Sequence, residues 1–234
     1  MLIAAPGIHA GIRPGEISTL QGSNAGNASI LSISTTQSYF GGSSLHNTGI
    51  SNAYANVTPI TNFVFGTGNW TIEFWYYPSS ASQQGILGFR PQGTNGNYIS
   101  IVANYPASYQ FDFYSAASRI ASYANAFVAN TWVNFALCKN NGNTTMYVNG
   151  TKTGNTYVDG TSYSASRLII GSDDYAAGGT PLNGYIDELR ISNTARYTGN
   201  FTVSNQPFID DGNTCLLLHF DQANLSQNII DDNT

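Results

Sequence analysis

Short runs of β-branched and aromatic residues recur along this chain, each cut off by glycine, asparagine or serine. No stretch carries the apolar spacing of an amphipathic helix. The clearest runs are Trp70–Tyr77, Gly85–Phe89, Tyr98–Ala103, Tyr109–Tyr114, Trp132–Lys139, Thr144–Val148, Arg167–Ile170, Tyr185–Ile191 and Thr214–Phe220. Such a pattern folds as many short antiparallel strands. Asn141-Gly142 and Asn149-Gly150 stand between or after runs, and these pairs tolerate the positive φ of tight hairpin turns. A three-stranded meander from Trp132 to about Tyr157 follows. In Trp70–Tyr77, Ile72, Phe74 and Tyr76 share one face and Glu73, Trp75 and Tyr77 the other. Both faces are bulky, which places this strand in the middle of a sheet covered on both sides.

Charged residues are only 9% of the 234, against about a quarter in an ordinary soluble protein. Asn, Ser, Thr, Gly and Tyr must therefore supply the polar surface. A neutral polar surface suits contact with sugars or other proteins, and it equally follows from a β-rich composition. The formal net charge is −5, with Lys+Arg at 8 and no basic run, so the electrostatic footprint of a nucleic-acid binder is missing. No segment approaches the ~20 apolar residues of a membrane span. The opening MLIAAPGIHAGIRPGEISTL lacks the charged start and long apolar run of a secretory signal. The chain is read as made in the cytosol, or exported by a route not written at its N-terminus. Cys138 and Cys215, the only cysteines, lie in strand-like runs and read as buried thiols acting as small apolar groups. A disulfide between them would need neighbouring strands.

Four segments, in order, resemble laminin-G-like, concanavalin-A-like domains. They are Gly68–Pro78 (GNWTIEFWYYP), Asn130–Leu137 (NTWVNFAL), Thr145–Gly150 (TMYVNG) and Leu182–Ser192 (LNGYIDELRIS). The resemblance implies an all-β fold, a two-sheet antiparallel β-sandwich of the concanavalin-A-like jelly-roll kind. It would span residues 43–220, preceded by an N-terminal extended arm over 1–42, in which Asn27–Ser34 reads as a possible first strand. A polar tail over 221–234 would carry at most a short terminal strand. A finer likeness covers Arg190–Thr202 (RISNTARYTGNFT) and Thr214–Asp221 (TCLLLHFD). It is similar to the bacteriophage version of the module, found in head-associated and tail-fibre proteins. That likeness implies a non-enzymatic virion structural protein made in the host cytoplasm. Its partners would be capsid-shell or fibre subunits, and it would form a homo-oligomer. The alternative is a lectin-like adhesin recognising host surface polysaccharide.

The candidate chemistry is sparse. Glycoside hydrolysis needs two carboxylates about 5–10 Å apart, and laminarinase-like relatives place them in an E-x-D-x-E run. Here the glutamates are Glu16, Glu73 and Glu188, none in that pattern, and adjacent Asp187 and Glu188 point to opposite faces of a strand. The alternation puts Glu188 beside Arg190 as a same-face ion pair and Asp187 among apolar neighbours. No catalytic residue is assigned, and His219 reads as a satisfied packing histidine. The resemblance also implies calcium, which takes six to eight oxygens from carboxylates, carbonyls and water. Asp173, Asp174 and Asp187 are the candidate ligands, against a solvated turn for the first two and backbone hydrogen bonds for the third. Glycan binding needs exposed stacking aromatics beside Asn or Asp. Tyr105, Tyr109 and Tyr175 are the candidates, with core or interface packing as the alternative. The first ~20 residues, broken by Pro6, Pro14 and several glycines, read as an arm that orders on a partner or as a frayed terminus.

Overall fold

The computed structural model describes residues 17–21, 27–57, 63–94, 96–104, 109–116, 118–122, 125–173, 179–230 and 232. Its elements in chain order are β1 (Ile17–Gln21), β2 (Leu31–Ser34), β3 (Ser44–Thr48), β4 (Tyr54–Val57), β5 (Trp70–Pro78), β6 (Gln84–Gly88), β7 (Gly96–Ala103) and β8 (Phe111–Ala116). They continue with β9 (Ser118–Ala121), β10 (Val133–Asn140), β11 (Asn143–Val148), β12 (Thr151–Val158), β13 (Leu168–Ile170), β14 (Asn183–Ser192), β15 (Thr214–Leu218) and β16 (Asn228–Ile230). One sheet runs β16-β1-β4-β13-β6-β7-β8-β9. The other runs β12-β11-β10-β5-β14-β3-β2, with β15 also paired to β14. All pairings between these strands are antiparallel. The two sheets pack as a sandwich.

Each of the nine runs read from the sequence overlaps an observed strand, and β5 lies between β10 and β14 in the middle of its sheet. Its inward Trp70, Ile72, Phe74 and Tyr76 are fully buried. Phe135 of β10 stacks on Phe74 at 5.0 Å and meets Phe111 of the opposite sheet at 4.5 Å, so aromatic rings close the gap between the layers. The meander β10-β11-β12 forms because Asn141 (φ 46°) with Gly142 (φ 76°), and Asn149 (φ 48°) with Gly150 (φ 73°), hold consecutive left-handed conformations. That is the backbone twist a two-residue hairpin needs.

The strands reach beyond the expected 43–220 span. β1 pairs with both β4 and β16, and β2 pairs with β3. The end of the expected arm and the polar tail therefore meet in the first sheet, while residues 1–16 lie outside the described residues. These strands are three to five residues long and sit towards sheet edges, where sequence patterning is weakest.

β14 departs from simple alternation. Its register against β5 shifts between Asp187 and Arg190, and Glu188 has φ 54°, so a bulge sits at Glu188. Asp187 and Arg190 consequently share the outer face, opposite Trp75 and Glu73, and Leu189 and Ile191 join the core. The expected Glu188–Arg190 pair is replaced by two others. Arg190 bonds Glu73 at 2.8 Å, and the His219 ring nitrogen lies 2.7 Å from Glu188.

Candidate functional site

The outer face of the β5-centred sheet is roofed by two segments. In the loop between β2 and β3, Tyr39 lies flat on Trp75, with centroids 3.4 Å apart and an interplanar angle of 17°. The backbone N–H groups of Tyr39 and Phe40 donate to Asp187 Oδ2 at 2.7 and 3.1 Å. The second roof follows β14. Phe201 N donates to Gly150 O at 2.8 Å, and a Cβ on Gly150 would fall 2.0 Å from the Phe201 carbonyl oxygen. Only glycine permits that approach.

Beside this second roof, the β10–β11 turn opens a groove of about 380 Å³, within the usual ~300–1,000 Å³ of small-ligand clefts. Asn140, Asn141 and Asn143 line it from the turn, with Thr145 and Tyr147 from the outward face of β11. Thr156, Tyr197 and Thr198 contribute from β12 and the roof, and Cys138 from β10. No carboxylate, lysine, arginine or histidine is among the lining residues. The turn is fixed before any ligand arrives. Asn141 N donates to Asn69 Oδ1 at 2.8 Å, and Asn143 Nδ2 donates to Asn141 O at 3.3 Å. The side-chain amides of Asn140 and Asn141 hold no hydrogen-bond partner among the described residues. The Thr145 and Thr156 hydroxyls lie 3.4 Å apart.

Tyr197 is locked from behind. It stacks on Phe201 at 3.6 Å and 8°, and Tyr147 meets both rings edge-on. Its hydroxyl donates to Glu73 Oε2 at 2.5 Å. Burial, reinforced by the Glu73 charge, pushes the phenol well above its ordinary range, so it stays a neutral donor. Glu73 also receives Arg190 at 2.8 Å and lies 3.7 Å from Arg196. Arg196 forks onto Asp211 at 2.9 and 3.0 Å, which holds the Asp211 carboxyl well below the usual range. Two guanidinium groups thus face two carboxylates, and the cluster is close to neutral. Burial likewise raises the Cys138 thiol, which donates to Tyr197 O at 3.2 Å. It is a packing group, not a nucleophile.

A laminin G family model, described as the concanavalin A-like lectin/glucanases superfamily, matches residues 48–199. The chain belongs to this superfamily. No curated protein matches it in sequence. Among solved structures it is similar to a Bacteroides ovatus protein provisionally named carbohydrate-binding (TM-score 0.55, 16% identity), covering 74% of this chain and 52%, about half, of that one. It is similar also to domain 4 of AbnA, a GH43 extracellular arabinanase of Geobacillus stearothermophilus, solved with arabinotriose (TM-score 0.54, 16% identity, 76% and 82% coverage). A third likeness is to the CBM40 of the Ruminococcus gnavus IT-sialidase, bound to α2,3-sialyllactose (TM-score 0.50, 15% identity, 64% and 91% coverage). At these identities the likeness is one of fold.

Within this lectin/glucanase sandwich Tyr109, Asp173 and Asp187, the described residues among those singled out from the sequence, each have their own surroundings. Tyr105, Asp174 and Tyr175 lie outside the described residues. Tyr109 is half-buried, packs against the core and meets Phe127 at 5.9 Å. Asp173 is buried, and its oxygens take Arg90 at 2.8 Å and the Thr180 hydroxyl at 2.7 Å. It is neither a solvated turn nor an open ligand. Asp187 stands in the other sheet, and both its oxygens accept backbone N–H bonds, from Tyr39, Phe40 and Glu188. Burial pushes its carboxyl up to about 7. Asp173 and Asp187 are thus each satisfied by protein donors, and no group of three or more His, Cys, Asp or Glu suited to a metal occurs among the described residues. Both cysteines are free and buried. The sequence marks Asn140–Asn143 as a turn, Thr145 and Tyr147 as part of a strand run and Tyr197 as part of the bacteriophage-like run, and assigns none of them to a site. Three asparagines around one hairpin, followed by outward Thr145 and Tyr147, are the signal that marks them.

Proposed function

We propose that this domain is a non-catalytic glycan-binding module whose sugar site is the Asn140–Tyr197 groove. The observation that carries the reading is the lining itself. The Asn140 and Asn141 amides, the threonine hydroxyls and the edges of two tyrosines line one preformed concavity. Sugar hydroxyls both donate and accept, as do Asn and Thr side chains, and sugar rings pack on aromatic faces. Carbohydrate-binding descriptions of the B. ovatus and R. gnavus structures, and the arabinotriose held by the arabinanase domain, support the same reading. Glycoside hydrolysis needs a carboxylate pair flanking the substrate. The groove offers none, and Glu73 is spent on Arg190 and Tyr197. Incubation with soluble and insoluble polysaccharides tests this: the protein should be retained on at least one and release no new reducing ends. Retention on none, or turnover abolished by Glu73→Gln or Glu188→Gln, would overturn it.

The bacteriophage-like run supports a second reading, in which the module sits on a virus particle among capsid or fibre subunits as a homo-oligomer and supplies attachment. Mass spectrometry of purified particles tests it, and absence of the chain from them would refute it.

A further inference from the structure

Resting on the glycan reading, we infer that the groove selects neutral sugars and discriminates against carboxylated ones, such as sialic and uronic acids. The asparagine amides and threonine hydroxyls are the selecting groups.

The charge inventory around the groove makes the case. An anionic sugar must shed water from its carboxylate, and that cost is recovered only against a cation or several directed donors. No cation lines the groove. Arg190 of β14 and Arg196 of the roof are both committed. Arg190 is paired to Glu73, donates to Ile209 O and lies 4.4 Å over Phe208. Arg196 is forked onto Asp211. Freeing Arg190 would strand the buried Glu73 carboxylate, and freeing Arg196 would break its two bonds to Asp211. Lys139 of β10 is fully buried, donates to Thr161 O at 2.9 Å and sits 3.8 Å from Asp159. Lys152, opposite Tyr147 in the β11–β12 ladder, is exposed and outside the lining, where water screens it. The chain as a whole carries −5, so its long-range field repels anions.

Neutral sugars meet the opposite situation. The Asn140 and Asn141 amides each bring two donors and one acceptor oxygen, with no internal bond to break on binding. Asn143 and the Thr145–Thr156 pair extend the same chemistry. The backbone under them is already pinned by Asn69 and by Asp159 N donating to Gly142 O at 2.7 Å, so little ordering cost is added.

The test uses the full chain and oligosaccharides matched except at one carboxyl group: sialyllactose against its carboxyl methyl ester, and cello-oligosaccharides against the same oligomers with the terminal glucose oxidised at C6 to glucuronate. Affinities are measured by calorimetry at 0.01 and 1 M salt, where the screening length falls from about 30 to about 3 Å. The expected result is binding of a neutral member at least about tenfold tighter than its carboxylated partner, the ratio for roughly one unpaired buried group. Salt should change the neutral affinity less than about twofold. Asn140→Ala with Asn141→Gly, which keeps the left-handed turn position, should weaken the neutral ligand about tenfold or more while leaving the melting temperature within about 2 °C of the parent. A carboxylated member binding as well or better, with affinity falling as salt rises, overturns the selectivity and leaves the glycan reading standing. Binding of neither class overturns both.

Discussion

Replacing Glu73 by Gln should destabilise the domain by about 3 kcal/mol. Glu73 is fully buried and is the carboxylate on which Arg190, Tyr197 and Arg196 converge. Removing one partner of a buried ion pair costs about 3–5 kcal/mol, because the other charge is left uncompensated. The lower end applies here. Arg196 keeps Asp211, and Arg190 keeps Ile209 O and the Phe208 ring, so one guanidinium loses most of its neutralisation rather than two. For a chain of this size, each kcal/mol moves the melting temperature by roughly 2–4 °C, which gives a fall of about 6–12 °C by circular dichroism. Arg190→Met alone should cost a similar amount. The Glu73→Gln, Arg190→Met double variant should recover about 2 kcal/mol of the summed losses, since replacing both partners removes the stranded charge. A melting temperature within about 2 °C of the parent for Glu73→Gln, or strict additivity in the double variant, would refute the claim that this carboxylate holds the second roof and with it Tyr197.

Asp187, pushed up to about 7 from 3.8 by burial, binds its proton more tightly folded than unfolded. Its stabilising contribution is fully present below about pH 4 and is lost as pH rises towards 7, on the order of 4 kcal/mol in total. Asp187→Asn should therefore flatten urea-derived stability between pH 4 and 7 by at least about 2 kcal/mol relative to the parent, and identical profiles would contradict it. His219 is held above its ordinary range mainly by its bond to Glu188, so the stability it adds is present below about pH 6.5 and disappears above its folded value. His219→Gln should remove that component, and an unchanged profile counts against the pairing. Excess calcium should leave the melting temperature where chelator leaves it, because Asp173 and Asp187 are already satisfied by other donors. A rise by mass action would reveal a site built elsewhere.

The central strands were legible because β5, β10 and β14 combine long apolar alternation with turn pairs that admit positive φ. The burial of β5 on both faces was also legible, from Trp75 and Tyr77 opposing Phe74 and Tyr76. What alternation missed was the bulge at Glu188. A single left-handed non-glycine residue leaves no mark in composition, yet it sends Arg190 to Glu73 and frees Glu188 for His219. β1, β3, β4 and β16 were hard to read because short strands draw their stability from neighbours distant in sequence. The groove was half legible. Asn140–Asn143 announced a turn, but the partner wall at Tyr197 comes from a segment 54 positions beyond Asn143, and no local pattern brings Tyr197 onto Tyr147. Asp173 and Asp187 are each met by donors from distant segments, Arg90 and the Tyr39–Phe40 backbone, which no local spacing shows.

The most direct test of the account is a side-chain amide NMR titration with the oligosaccharide that binds best. The glycan reading predicts that the Nδ2 resonances of Asn140, Asn141 and Asn143 shift together and saturate along one isotherm, with Tyr147 and Tyr197 ring protons following. Saturable shifts confined to another surface, with these five residues unmoved, would contradict it.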